Sequence, residues 1–102
     1  MTTANELLGT ALGVLESRGA SRDNGRERSM KKTVEAFNIM YDKDLTVEEG
    51  WMFMVLLKVS RSTAGVLNTD DYIDGAGYFS LAGEEAIKED KVDDCPFLGT
   101  IC

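Results

Sequence analysis

The stretch WMFMVLLKVSR, residues 51–61, constrains this chain more than any other, because it is apolar on almost every side of a helix. β-Branched residues are few in it and Met is frequent, which favours helix over buried strand. Thr46 followed by Glu49 is a capping-box pattern that starts the helix, and acids in its first turn suit the helix dipole. Gly65 marks its end. A helix apolar all round is packed on several sides. The pattern therefore predicts a central helix with Leu56 and Leu57 in the core.

Three further helices are expected around it. Thr3 and Glu6 form a second capping-box pattern, and Leu7, Leu8, Ala11, Leu12 and Leu15 follow the spacing of one buried stripe from Ala4 to about Ser17. Residues 18–28, RGASRDNGRER, hold no large apolar side chain and read as a loop. Met30, Val34, Phe37 and Tyr41 give a second helix from Ser29 to about Tyr41. The last begins near Asn68–Asp70 and runs to about Glu89, with Gly75, Gly77 and Gly83 allowing close approach to the central helix. The fold class is all-α: a single domain over residues 1–90 and an extended tail over 91–102. Cys95 and Cys102 lie in that tail, and without a secretion signal a reduced pair is the default.

Composition removes several chemistries. There is no His, so no imidazole base, Ser-His or Cys-His nucleophile pair or His-ligated zinc is available within the chain. The formal charge is −7, which argues against direct DNA or anionic-membrane binding by the molecule as a whole. No spanning helix or signal-peptide pattern is present, and a cytoplasmic location is expected. The charge is also segregated: residues 1–41 sum to +1 and residues 42–102 to −8. Such a dipolar surface favours association, and a homodimer is one expectation.

Three clusters could carry chemistry. Asp71 and Asp74 sit at i, i+3 beside Asp70, a spacing that can hold Mg²⁺ through oxygen ligands. Capping and dipole compensation at a helix start explain the same acids and carry more weight. Lys58 and Arg61 lie at i, i+3 on the central helix; they read as ion-pair partners of Asp71, Asp74 or Glu84, or as a phosphate site. Arg18, Arg22, Arg26 and Arg28 crowd the glycine-containing 18–28 stretch, where arginine can grip phosphate bidentately. It matches no established phosphate-loop pattern.

The strings ERSMKKTVEAFNIM, LTVEEGWMFMVLLKVSR and DDYIDGAGYFSLAGE, together with Arg18-Gly19, resemble a family of small phage and prophage proteins of unassigned function. The resemblance covers roughly residues 6–87 and extends to the C-terminal domain of phage nucleotide kinases. More distantly, the group is similar to the MazG-like all-α nucleoside triphosphate pyrophosphatases, which bind Mg²⁺ with an E-x-x-E pair on one helix and an E-x-x-D pair on the next. By that resemblance the second pair could map onto Asp71 and Asp74. The first has no counterpart, since Glu48 and Glu49 are adjacent and Gly50, Trp51 and Met52 follow. The His that often precedes the Asp motif is replaced within Val66-Leu67-Asn68-Thr69.

Together these features imply a phage-encoded, acidic interaction or inhibitor protein acting in the host cytoplasm. Its target would be a host defence or nucleic-acid-handling protein with a basic surface, met by Glu84, Glu85, Glu89 and Asp90. A nucleotide-binding module of MazG-like type is the alternative, and a Mg²⁺-dependent pyrophosphohydrolase ranks third. No cofactor is expected, Mg²⁺ excepted in that third reading.

Overall fold

The computed structural model describes residues 2–22 and 29–90, without the side chains of residues 19–22, 89 and 90. The described residues are all-α: α1 (Ala4–Arg22), α2 (Ser29–Tyr41), α3 (Val47–Ser62) and α4 (Thr69–Asp90). α4 is the hub of the packing, with α1 on one side and α3 on another, while α2 rests on α3 alone.

Local hydrogen bonding accounts for the helix boundaries. Both capping boxes form: the Thr3 amide donates to Glu6 Oε1 at 2.7 Å and the Glu6 amide to the Thr3 hydroxyl at 3.2 Å. At α3 the Thr46 amide donates to Glu49 Oε1 at 2.8 Å and the Glu49 amide to the Thr46 hydroxyl at 3.1 Å. Each box satisfies amides that the first helical turn leaves without partners. Asp42 adopts a left-handed conformation (φ 55°) directly after α2. Asn38 then pins the turn, donating from Nδ2 to the Leu45 carbonyl at 3.0 Å and accepting from the Leu45 amide at 2.9 Å. At α4, Asn68 Oδ1 accepts from the Asp70 amide at 3.0 Å.

α1 is longer than its apolar pattern suggests. Residues 18–22 are helical, so Arg18 and Arg22 lie on α1 rather than in a loop. A single Gly19 lowers helix stability by only about 1 kcal/mol relative to Ala, and basic residues suit a helix's C-terminal end. Residues 23–28, with Arg26 and Arg28, and residues 91–102, with Cys95 and Cys102, lie outside the described residues.

The core is small. Among the described residues its buried hydrophobic members are Ala11, Val34 and Ala82, and no large side chain is fully enclosed. The helices meet largely through small residues. Gly50 is buried where α2 crosses α3, and a Cβ there would lie 2.5 Å from Met30 Sδ and 2.7 Å from Val34 Cγ2. Gly77 lets α1 approach, with Leu15 Cδ2 3.7 Å from its Cβ position, rather than α3. Gly75 does face α3, whereas Gly83 faces open space.

Two expectations are corrected. The α1 stripe is rotated about Ala11, so that Leu7, Val14 and Leu15 turn inward while Leu8 and Leu12 are exposed. α3 is not the most enclosed helix: Phe53 is 71%, Leu56 58% and Leu57 41% exposed. Its apolar character runs all round, but within one chain neighbours cover only the faces toward α4 and α2.

The α2–α3 crossing can be tested directly. Met30 can swing aside, but the β-branched Val34 is stiff at χ1 and must shift bodily. Gly50→Ala should therefore cost about 1–3 kcal/mol from overpacking, less the roughly 1 kcal/mol gained in helix propensity. Urea unfolding that shows Gly50→Ala to be stabilising would mean that α2 does not dock there.

Candidate functional site

The charged residues of the α3–α4 seam converge on one lysine. Lys58 Nζ lies 3.1 Å from Asp74 Oδ2 and 4.0 Å from Asp71 Oδ1. Arg61, one turn further along α3, brings Nε to 3.8 Å from the same Asp71 oxygen. The spacing of the sequence produces this directly: Lys58 and Arg61 are three residues apart on α3, as are Asp71 and Asp74 on α4, so each pair shares a helix face. Gly75 permits the approach, with Lys58 Cβ 3.6 Å from its Cβ position.

Solvent is largely excluded from this cluster. Lys58 is 13% and Asp71 5% exposed, and Asp71 Oδ1 is buried with no hydrogen-bond partner. Its two cationic neighbours stand beyond hydrogen-bond distance, so Asp71 is held by Coulombic attraction rather than by a hydrogen bond to that oxygen. Asp70 turns outward and takes no part. Glu84, the third acid named as a partner of Lys58 or Arg61, is exposed nearly three turns beyond Asp74.

The seam does not fit Mg²⁺. A magnesium site draws anionic oxygens to about 2.0–2.1 Å around the ion, and here Lys58 is paired with Asp74 while Lys58 and Arg61 together balance the charge of the two carboxylates. Among the described residues no three acidic, Cys or His side chains come together as a metal-ligand group. Glu48 and Glu49 do not supply the missing half: Glu49 closes the α3 capping box, and both sit in the first turn of α3, whereas Lys58 lies near its far end. As a phosphate site the seam is compromised from the other side, because Lys58 faces carboxylates. Arg61 keeps an exposed side chain.

A second feature lies between α1 and α4. A shallow, solvent-open cleft enclosing about 30 Å³ is lined by Arg18, Val14, Leu15, Trp51, Asp74 and Tyr78, among others. Trp51 and Tyr78 stack with centroids 5.6 Å apart and planes 23° from parallel. Arg18 and Asp74 give the cleft opposite charges. Of the candidate phosphate-binding residues, the structure thus places Arg18 in the cleft and Lys58 and Arg61 at the seam; both features include Asp74. Glu84 is exposed, while Glu85 is partly buried and accepts from Lys88 Nζ at 3.4 Å. The side chains of Arg22, Glu89 and Asp90 lie outside the description.

The aromatic stack was not singled out from the sequence. Trp51 opens a run of apolar residues, so periodicity alone does not distinguish it. The better signal is Tyr78 four residues after Asp74, which places ring and carboxylate on one face of α4.

Fold and seam define a small all-α protein whose two main charged pairs neutralise each other across α3 and α4. The chain belongs to the family described as Domain of unknown function (DUF6378), which matches residues 6–86 and so takes in all four helices. No curated protein and no solved structure matches it. No helix among the described residues is long and apolar enough to cross a membrane.

The seam makes an asymmetric prediction. Asp74→Asn leaves Lys58 with Asp71 at 4.0 Å as its remaining ionic neighbour, and should cost roughly 3 kcal/mol, since solvent screens the cluster only partly. Lys58→Met should cost more, because it strands Asp74 and weakens the hold on Asp71. Chemical denaturation of both variants measures the order; a stability change below about 0.5 kcal/mol for each would mean that the seam is solvated and unimportant to folding.

Proposed function

We propose that this chain is a protein-interaction module, encoded by a phage or prophage, that acts on a host defence or nucleic-acid-handling protein. The observation that carries this reading is the Lys58–Asp74 pair at 3.1 Å. With the principal carboxylate pair and the principal cation engaged by one another, the chemistry left to the molecule is that of its surfaces. Those surfaces are acidic toward the end of α4 and apolar over α2 and α3.

The acidic part suits a partner with a basic face. Glu84 is its best-defined member, Glu85 is shared with Lys88, and Glu89 and Asp90 continue the acidic sequence. A chain of charge −7 is steered toward a basic surface over distances of about a Debye length, roughly 8 Å at physiological salt. Such a partner ordinarily meets nucleic acid, so the module would act by occupying that surface. The reading includes association with a second copy of the chain.

A second reading is a nucleotide-binding module, favoured by the cleft. Arg18 would hold phosphate there, and the exposed edges of the Trp51–Tyr78 stack would meet a base. This accords with the resemblance to MazG-like proteins. Mg²⁺-dependent hydrolysis ranks below both, because its metal would have to displace Lys58.

Capture by the immobilised chain from a bacterial lysate tests the first reading. Captured proteins should be nucleic-acid-binding, should be displaced by duplex DNA and by salt, and should be retained less by a Glu84→Lys, Glu85→Lys variant. The same preparation should release neither pyrophosphate nor phosphate from a nucleotide panel with Mg²⁺. Release that disappears in Asp74→Asn would overturn the interaction reading in favour of the enzyme. A thermal shift with nucleotides that Arg18→Ala abolishes would favour the cleft.

A further inference from the structure

We propose that α2 is a separately opening lid, which lifts off α3 and unwinds as a unit while α1, α3 and α4 stay packed. This goes beyond the interaction reading above and does not depend on it.

The hold of α2 on α3 is narrow. Of its thirteen residues Val34 is buried, Met30 and Asn38 are half-buried and the other ten are exposed. Val34 and Met30 meet α3 at Gly50. Phe37 turns to its own helix instead, its ring 4.8 Å from that of Tyr41, and both rings are exposed. Among the described residues no ion pair joins α2 to α3, whereas Lys58 and Arg61 tie α3 to α4.

α2 is also weak as a helix by itself. Thirteen residues are marginal for an isolated helix in water. The first turn holds Lys31 and Lys32 and no acid, which opposes the helix dipole, and the last turn holds no base. Once off α3, α2 has too little to keep it helical, so lifting and unwinding are one event.

The rest of the fold keeps its own junctions. α1 and α3 each pack on α4, and the Lys58 seam contains no residue of α2. Opening lengthens the connection between α1 and α3 by the thirteen residues of α2, and loop-closure entropy grows only logarithmically with length. A unit with few buried apolar contacts opens at less than the free energy of global unfolding. What the opening uncovers is the Gly50 flank of α3, together with Val34 and Met30.

Hydrogen exchange of the full chain along a urea series, read amide by amide, tests this. Amides from Val34 to Asn38 should be protected about a hundredfold less than those in the middle of α4, by nearly one common factor and with a shallower urea dependence. Val34→Ala should lower the protection of α2 by about a further tenfold. Leu15→Ala, at the α1–α4 contact, should lower protection in α4 and leave α2 unchanged, because that contact is lost only in the global event. Should either variant fail to fold, the comparison of α2 with α4 in the wild type still decides. α2 amides that match α4 in protection and urea slope overturn the proposal, as does an equal effect of Leu15→Ala on both helices. α2 amides with no protection at all also overturn it, because α2 then has no closed state.

Discussion

Lys58 joins α3 to α4, the two helices on which α2 and α1 dock. Its ammonium lies between two carboxylates on α4, close to Asp74 and further from Asp71, while its stem runs past the open side of Gly75. A buried ion pair of this kind is weak evidence for stability in itself, because desolvation offsets much of the attraction. It does penalise alternatives severely. Sliding α4 along α3 by one turn would separate Lys58 from Asp74 and leave buried charges uncompensated. The pair thus sets the register of the two longest-packed helices, and α1 is placed by the α4 face that remains.

That register determines what the site can do. It neutralises the carboxylate spacing that resembles half of a magnesium centre, and it occupies the cation that might have held phosphate. It also leaves Asp74 shared between the seam and the cleft beneath Arg18. A ligand entering the cleft would meet a carboxylate already engaged by Lys58, so its recognition would depend more on Arg18 and the aromatic edges. Metal binding by Asp71 and Asp74 together would require the seam to open, because Lys58 holds Asp74 at 3.1 Å.

The small interior is the other consequence. Helices that meet through Gly50, Gly75, Gly77, Ala11 and Ala82 approach closely but enclose few large side chains. Large apolar residues such as Ile39, Met40, Phe53 and Leu56 are left outside, where a second polypeptide can bury them. Close approach within the chain and extensive apolar surface outside it are two results of one choice of residue sizes.

Much of this was legible in the residues themselves. Capping boxes, Asn68 and the Met30-to-Tyr41 stripe locate the helix ends, because such signals act within one turn and depend on no distant contact. The i, i+3 spacings of Lys58 with Arg61 and of Asp71 with Asp74 place like charges on common faces, so their encounter across two helices was an available reading. Other features depended on what each helix met. The α1 stripe could be centred on Leu8 and Leu12 or on Ala11 and Leu15, and the approach of Gly77 selects the second. The run at residues 51–61 is apolar in every direction, so its sequence cannot say which side the same chain covers. Residue type and spacing determine which faces of a helix are suited to burial; only the packing of α1, α2 and α4 decides which of those faces is buried within one molecule, because burial is a property of two surfaces and a helix carries one.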